Sequence, residues 1–334
     1  MRRGVMVQRN ILGSVVGILL GLAAWGCSAS DSMAECSVGA DCASGACQGG
    51  HCVAATGGGS GSGGAAGAAG AAGSSSGGAA GAAGMGGAAG TAGSGGSGGG
   101  GVCSPNHDGV IERAEVPLMA GLNAKFMVAV NATFATAGQA QGDGSSNWDL
   151  SGSLAGDHLA LVELQALTGK WYESKFPGAT YASQLSDSAD LLGVFEITDK
   201  ALLLRGVVSP SNGAGYTELT YNPPVTVLDF PISENKSTKS VCNVSGLAQG
   251  LPVNYTEQYD QLVDAHGLLK TPFGEFPVLR IAIKLTRTVG VLTTVVRSYA
   301  FASECFGTVA TITSKDNEPN VEFTQASEIR RLAP

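Results

Sequence analysis

The segment from Ala54 to Val102 consists almost entirely of glycine, alanine and serine, and it restricts where this chain can build a core. Such a segment has too little apolar side chain to bury, and its glycines oppose a helix. It also lacks the strict third-position glycine with proline that defines collagen. We therefore predict a disordered, flexible linker over 54–102, with a root-mean-square span of about 35–42 Å. Any large core must then lie in 103–334.

The charge of the chain belongs to that C-terminal part. The 334 residues carry 19 basic and 27 acidic side chains, a net charge of −8, and only three of each precede Cys103. An acidic domain without runs of lysine or arginine has no electrostatic footprint for nucleic acid. We therefore expect no nucleic-acid partner.

The N-terminus has the pattern of an export signal. Arg2, Arg3 and Arg9 precede the uncharged run Ile11–Trp25. A run of 15 residues is short for a bilayer-spanning helix, which needs about 20. It has the length of the apolar region of a signal peptide.

The end of this run, LAAWGC, resembles the lipobox of bacterial lipoproteins. The resemblance implies a signal peptide over 1–26 and lipid attachment at Cys27, which would tether the chain to a membrane. Ala24 stands where the family prefers leucine, and Trp25 is bulkier than usual. Ser28 replaces the aspartate of the inner-membrane retention signal, which favours the outer membrane or cell surface. The alternatives are an ordinary secretory signal and an uncleaved anchor.

Four closely spaced cysteines follow Cys27 in the segment 27–53, which has no apolar core of its own: Cys36, Cys42, Cys47 and Cys52. In an oxidising compartment this spacing predicts two disulfides. A zinc site of four thiolates is the alternative, but the segment lacks the short C-x2-C knuckle. The run DCASGACQGGHC resembles small disulfide knots that follow the lipid anchor in lipoproteins of predatory gliding soil bacteria.

The C-terminal part opens with SPNHDGVIERAE, residues 104–115, which resembles the calcium loop of the EF-hand and dockerin families. The resemblance implies calcium as a cofactor, with four ligands: Asn106, Asp108, Val110 through its carbonyl, and Glu115. Ser104 replaces the usual first aspartate, and no helical pattern precedes Cys103, so we expect a structural clip rather than a sensor. The alternative is an Asn-His-Asp-Gly turn leading into a short helix or strand.

From Cys103 onward the dominant hydrophobic period is two, which predicts strands. The predicted strands are Lys125–Phe134, His158–Leu167, Leu191–Thr198, Ala201–Val208, Val225–Phe230, Ala282–Thr288 and Val291–Ala302. Tight hairpin turns are predicted at Asp199-Lys200 and Val289-Gly290. Helical stretches are predicted only at 116–122 and, as a short turn, near 181–188. A sheet this large must cover its apolar face. We therefore predict a mainly β fold, a large antiparallel curled sheet or incomplete barrel with few short helices.

The most distinctive run is VDAHGLLKTPFGEFPVLR, residues 263–280, which reads as strand, Pro-Phe-Gly turn and strand. The glycine of the turn, Gly274, is expected to permit a positive φ. The run is similar to one in uncharacterised secreted bacterial domains, some of which resemble the lipoprotein-carrier family. That resemblance implies an unclosed barrel curled round a helix, whose family members hold acyl chains.

Candidates for chemistry in 103–334 are few, and no catalytic residue is predicted. Three cysteines, Cys103, Cys242 and Cys305, imply one disulfide and one free or intermolecular thiol, with Cys305 expected in the pair. Asp264 and His266 are two residues apart, so a strand places them on one face. No nucleophile motif accompanies them, and a solvated strand face is the simpler interpretation.

Two further groups could mark a site, although turn chemistry and core packing explain such residues as well. The first could ligate a metal: Asp143, Asp149, Asp157 and His158. The second could line a carbohydrate or lipid groove: Trp148, Trp171, Tyr172 and Tyr181. No phosphate-binding loop, dinucleotide fingerprint or zinc-protease motif occurs.

Three functions remain open. The chain could be an envelope-tethered, surface-displayed binding lipoprotein that holds a hydrophobic ligand, or a structural or interaction protein of the envelope with a protein partner. A hydrolase with dispersed carboxylates is the third possibility.

Overall fold

A computed structural model describes Cys47–Gln48, His51–Cys52, residues 103–187 and residues 189–334. The signal segment 1–26, Cys27, Cys36, Cys42 and the linker 54–102 lie outside these residues. In the cysteine-rich segment, β1 (Cys47–Gln48) pairs antiparallel with β2 (His51–Cys52), and backbone positions 47 and 52 stand opposite each other.

Residues 103–334 are built from sixteen further strands. In chain order these are β3 (Val110–Ile111), β4 (Asn123–Val130), β5 (Gln139–Ala140), β6 (Ser146–Asp149), β7 (His158–Glu163), β8 (Tyr181–Gln184), β9 (Leu192–Ile197), β10 (Ala201–Val208), β11 (Glu218–Asp229), β12 (Ile232–Ser233), β13 (Ser237–Ala248), β14 (Leu251–Lys270), β15 (Glu275–Val289), β16 (Leu292–Ser303), β17 (Gly307–Ser314) and β18 (Ala326–Ala333). The helical segments in the described residues are two 3₁₀ turns, Arg113–Glu115 and Glu173–Lys175. No helix in these ranges is long and apolar enough to cross a membrane.

Twelve of the strands form one antiparallel sheet in the order β7-β4-β18-β17-β16-β15-β14-β13-β11-β10-β9-β8. The sheet curls until its ends meet just beyond β7. There the amides of Gln165 and Ala182 each donate to the other's carbonyl, at 2.7 and 2.9 Å. The mainly β, curled antiparallel fold predicted from the sequence is confirmed, and the sheet is nearly closed.

The two faces of the sheet carry separate apolar clusters because side chains alternate along each strand. On β15, Ile281, Ile283 and Leu285 join a large cluster that also receives side chains from β8 to β14. Val278 belongs to a second cluster, centred on Trp148 and Phe301. Ala132, Trp148, Leu150 and Phe323, from segments outside the twelve-stranded sheet, belong to this second cluster, so the sheet is packed on both sides in its central part.

The predicted helical stretch at 116–122 and the predicted short turn near 181–188 are both wrong. In place of a helix at 116–122, Val116 is extended and buried. The residue after it is proline, which disfavours a helical conformation for the residue before it. The segment near 181–188 begins as strand β8, in which Tyr181 and Ala182 are buried in different clusters. A strand buried on both faces loses the period of two that would have identified it.

Two predicted turn details are also corrected. Val289 pairs with Leu292, so the residues of that hairpin turn are Gly290 and Val291. Gly274 has no positive φ, whereas Gly267 in β14 has φ +155°. The strand–turn–strand pattern of 263–280 itself is confirmed, because β14 ends at Lys270 and β15 begins at Glu275.

Candidate functional site

The turn between β14 and β15 is a fixed structure. The amide of Thr271 donates to the carbonyl of Gly274 at 2.8 Å, and the amide of Gly274 donates to the carbonyl of Thr271 at 3.1 Å. The amide of Phe273 donates to the carbonyl of Leu332 on β18 at 3.1 Å. These bonds hold the turn against the end of the sheet, with the Phe273 side chain half exposed.

Gly267 allows a second segment to approach β14 closely. Strand β6 runs parallel to β14 there, with Ser146 opposite Gly267. A Cβ atom at Gly267 would lie 1.8 Å from the carbonyl oxygen of Ser146, so no other residue fits without moving β6. The glycine in the G-x-L-x-T-P run is therefore explained by backbone packing.

The N-terminal loop is attached to the same end of the sheet. A disulfide joins Cys103 to Cys305, which lies in the β16–β17 turn, with a Cα–Cα distance of 5.5 Å. The amide of Cys305 donates to the carbonyl of Glu115 at 2.7 Å. The amide of His107 donates to Oε2 of Glu304 at 3.1 Å. Strand β3 pairs with β12, so the loop is fastened at both ends.

The candidate calcium ligands lie in this loop and take part in its own hydrogen bonds. Asn106 Oδ1 accepts the amide of Asp108 at 2.9 Å, and Asp108 Oδ1 accepts the amide of Val110 at 2.8 Å. Glu115 Oε2 accepts the amide of Glu112 and caps the 3₁₀ turn. Throughout the part of the chain that the structure describes, no group of three or more His, Cys, Asp or Glu side chains is placed to hold a metal ion. Calcium binding by this loop, which would also use an amide and a carbonyl oxygen, stays a prediction.

These segments enclose a cleft of about 670 Å³. One wall is the N-terminal loop from Pro105 to Ile111, and another is the β14–β15 hairpin from His266 to Leu279. The third is the β16–β17 turn from Ser303 to Phe306, and Glu234 completes the lining. The loop 104–115 and the run 263–280, which the sequence singled out separately, thus line one cleft. The disulfide holds the loop beside the β16–β17 turn.

The surface of the cleft is mainly apolar. Three phenylalanines cluster in it, with ring centroids 4.9 Å apart for Phe276 and Phe306 and 6.1 Å apart for Phe273 and either of them. Phe276 is buried, while Phe273, Phe306 and the neighbouring Leu268 are partly exposed. Partly exposed large apolar side chains around a concave surface are typical of ligand sites.

A few polar groups break the apolar surface. His266 Nδ1 lies 3.1 Å from Oε2 of Glu234, and His107 Nδ1 lies 4.0 Å from Oε2 of Glu304. Small numbers of polar groups in an apolar pocket usually fix the orientation of a ligand. The cleft therefore has the composition of a binding site for a largely apolar small molecule.

Asp264 and His266 do not act as a pair. A bulge between Val263 and Ala265 shifts the alternation of β14, so that the spacing of two no longer places the side chains together. Asp264 binds Arg280 on the face of the second cluster, at 2.9 and 2.8 Å. His266 stands opposite Leu279, which belongs to the first cluster, and lines the cleft.

The other acidic candidates stabilise loops. Asp143 and Asp149 each accept bonds from a serine two residues later, and the serine hydroxyl bonds hold the pKa of both carboxyls below its ordinary value. Asp157 forms a two-bond ion pair with Arg331 at 2.6 and 2.9 Å. His158 Nε2 lies 2.5 Å from Asp187 Oδ2. None of these side chains lines the cleft.

The candidate groove aromatics belong to the core. Trp148, Tyr172 and Tyr181 are buried in three different clusters. Trp171 is partly buried, and its Nε1 donates to the carbonyl of Ser209 at 3.1 Å.

Cys242 is the free cysteine of residues 103–334, and burial raises the pKa of its thiol to about 12. A thiol with so little thiolate is unreactive while the protein is folded.

The comparisons with known proteins give little beyond the structure. No protein-family model matches the chain, and no curated protein matches it. A solved structure that it resembles is that of a "putative lipoprotein" from Parabacteroides distasonis, at 9% sequence identity and a TM-score of 0.31. The match covers 64% of this chain and 95% of that chain. A TM-score of this size does not establish a common fold.

Proposed function

We propose that this chain is an exported lipoprotein of the cell envelope, whose β domain holds a hydrophobic ligand in the cleft described above. The cleft carries the proposal, because its volume of about 670 Å³ lies in the range of ligand pockets. Its apolar floor and its few polar groups also match such pockets. The walls are held by a disulfide and by strand pairing, so the site needs little ordering when a ligand enters.

Anchoring is proposed from the sequence alone. The basic start, the short apolar run and Cys27 support a lipid anchor, and Ser28 supports transport to the outer membrane or the cell surface. Replacing the acceptor thiol, Cys27→Ser, is expected to abolish labelling by radioactive palmitate. A Cys242→Ser variant should keep the label. Labelling that persists in Cys27→Ser contradicts the anchor.

Ligand binding is tested on the whole protein purified from its own envelope. Native mass spectrometry is expected to show a bound small molecule in the wild type. Leu268→Trp, which adds bulk to the cleft wall, should lose it. Val291→Trp is the matched control, because Val291 is exposed at the far hairpin and does not line the cleft. A mass without any bound molecule, or one that persists in Leu268→Trp, contradicts the proposal.

We also propose that calcium acts as a structural clip in the loop 104–115, which forms a wall of the cleft. Oxygen ligands from Asn106, Asp108, Val110 and Glu115 are those that calcium prefers. A bound ion stabilises the folded state. The melting temperature of the whole protein should therefore fall when EGTA replaces calcium, and an unchanged midpoint contradicts the clip.

A further inference from the structure

We infer that the cleft selects ligands with an apolar body and a positively charged end, such as long-chain or aromatic amines, and rejects apolar carboxylates such as fatty acids. This inference rests on the proposed function and names the chemical class of its ligand. It follows from the charges and the aromatic faces around the cleft.

All fixed charges in the lining are negative. Three carboxylates line the cleft, those of Glu234, Glu275 and Glu304, and the lining contains no lysine or arginine. The only other titratable side chains there are His107 and His266. If both histidines were protonated, two positive charges would still face three negative ones. The lining therefore remains negative at any pH at which the carboxylates are ionised.

The three carboxylates come from three different segments of the chain that line the cleft. Glu304 belongs to the β16–β17 turn and has an 11% exposed side chain. Glu234 follows β12 and lies beside His266. Glu275 begins β15 and has Lys270 at 3.4 Å, but both side chains are about half exposed. An exposed pair of this kind is weak and screened by salt, so Lys270 offsets little of the negative charge.

The aromatic side chains add attraction for a cation. Phe273, Phe276 and Phe306 lie within 6.1 Å of one another by ring centroids. Their ring faces attract a cation, and their hydrocarbon surface attracts an apolar body. Leu268, Val278 and Leu279 extend the apolar surface along the hairpin wall. A carboxylate ligand would gain the same apolar contacts but would face the three glutamates.

Three probes that share an eight-carbon chain and differ in the charge at its end test this charge selection: octylammonium, octan-1-ol and octanoate. Each is titrated into the whole protein, with binding followed by methyl NMR shifts of Ile111, Val278 and Leu279 in the cleft. Charges interact more strongly at a partly desolvated protein surface than in water. Octylammonium is therefore expected to bind at least about tenfold more tightly than octanoate, with octan-1-ol between them. Raising the salt concentration should narrow the difference.

Glutamine variants assign the selection to the glutamates. Glu234→Gln and Glu304→Gln keep an acceptor and remove a charge, so each should weaken octylammonium binding about threefold to tenfold. Both should change octan-1-ol binding less than octylammonium binding, because the alcohol carries no charge. Glu163→Gln, on the exposed side of β7, is the control and should change neither.

The outcomes distinguish the charge selection from the ligand-binding function on which it rests. Equal binding of the three probes, or tighter binding of octanoate, overturns the charge selection and leaves the ligand-binding function standing. Failure of all three probes to shift the cleft methyls overturns the proposed function. Loss of octan-1-ol binding in the glutamine variants shows a structural effect of Glu234 or Glu304, and this also overturns the assignment.

Discussion

At the residue scale, the core contains a buried ion pair between Glu257 and Arg287. The two residues stand opposite each other on β14 and β15, and both are sealed from solvent. Arg287 Nε donates to Glu257 Oε1 at 2.9 Å, and the hydroxyl of Tyr259 donates to Oε2 at 2.5 Å. The guanidinium lies over the ring of Tyr255, 4.8 Å from its centroid. Removing one partner leaves a buried charge without compensation.

We therefore expect Glu257→Gln to lower the free energy of unfolding by about 3–5 kcal/mol. Lys239→Gln is the control, because the Lys239–Asp260 pair on β13 and β14 is exposed and should be worth less than about 1 kcal/mol. Urea unfolding measures both changes. Replacing the pair together, as Glu257→Leu with Arg287→Met, should recover much of the loss. Equal stability of Glu257→Gln and Lys239→Gln contradicts this account.

A second buried carboxyl makes stability depend on pH. Burial raises the pKa of Glu328 above its ordinary value of 4.5, and the neighbouring Arg330 opposes this shift only in part. Between 4.5 and the raised pKa, the unfolded chain holds fewer protons at this position than the folded one. The free energy of unfolding therefore falls as pH rises through that window.

Glu328→Gln should remove this contribution. Urea unfolding of the wild type and the variant from pH 4 to pH 8 is expected to show the wild type losing stability relative to the variant as pH rises. The difference should become constant above the raised pKa. Parallel stability curves over the whole range contradict a raised pKa in the folded state.

Individual residues also explain why the cleft could be predicted only in part from the sequence. The sequence singled out the loop 104–115, the glycine run of 263–280 and His266, because each has a local pattern. Glu304 and Phe306 have no such pattern. They reach the cleft because the disulfide from Cys103 places the β16–β17 turn beside the loop, a contact across a sequence separation of 202. Three cysteines had implied one disulfide, but their number could not identify both partners.

At the scale of elements, the alternation of apolar and polar residues predicts strands well where one face of the strand is apolar and the other polar. Ala201–Val208 is strand β10, residue for residue. The predicted strand Lys125–Phe134 instead ends at Val130, because Asn131 adopts φ +53°. Strand β13 was missed because its run STKSVCNVSGLA is mostly polar. Pairing with β11 and β14 on both sides makes that polar run a strand.

The parallel pairing of β6 with β14 depends on one glycine. A Cβ atom at position 267 would meet the carbonyl oxygen of Ser146, so Gly267→Ala should force β6 away and cost about 2 kcal/mol or more. Gly274→Ala is the matched control, because its Cβ would have open space and its φ is not positive. Urea unfolding compares the two, and the same stability for both variants contradicts the close approach.

At the scale of the whole molecule, one covalent bond connects the beginning of the domain to the middle of the sheet. Cys103 and Cys305 are 202 residues apart in sequence. Closing a loop of that length in the unfolded chain corresponds to about 5 kcal/mol by the chain-entropy estimate. The β16–β17 turn that carries Cys305 also forms a wall of the cleft.

Cys103→Ser combined with Cys305→Ser should therefore lower the free energy of unfolding by several kcal/mol, with about 5 kcal/mol as the upper value. A reductant should destabilise the wild type to a similar extent. It should not further change the unfolding of 103–334 in the double variant, because Cys242 is free and the disulfides predicted for 27–53 lie outside that part of the chain. Urea unfolding with and without reductant measures this. A double variant as stable as the wild type contradicts the expected contribution.

The position of that disulfide also has a mechanical consequence. A pulling force that reaches the domain along the backbone arrives first at Cys103, and the disulfide passes it directly to Cys305 between β16 and β17. Those strands lie inside the sheet with neighbours on both sides, so the load reaches strands that are paired along both edges. Without the bond, the same force would peel away the loop 104–115 and the short strand β3, which is joined to the domain by only two residue pairs of a ladder. The cleft would then lose a wall under tension before the sheet was strained.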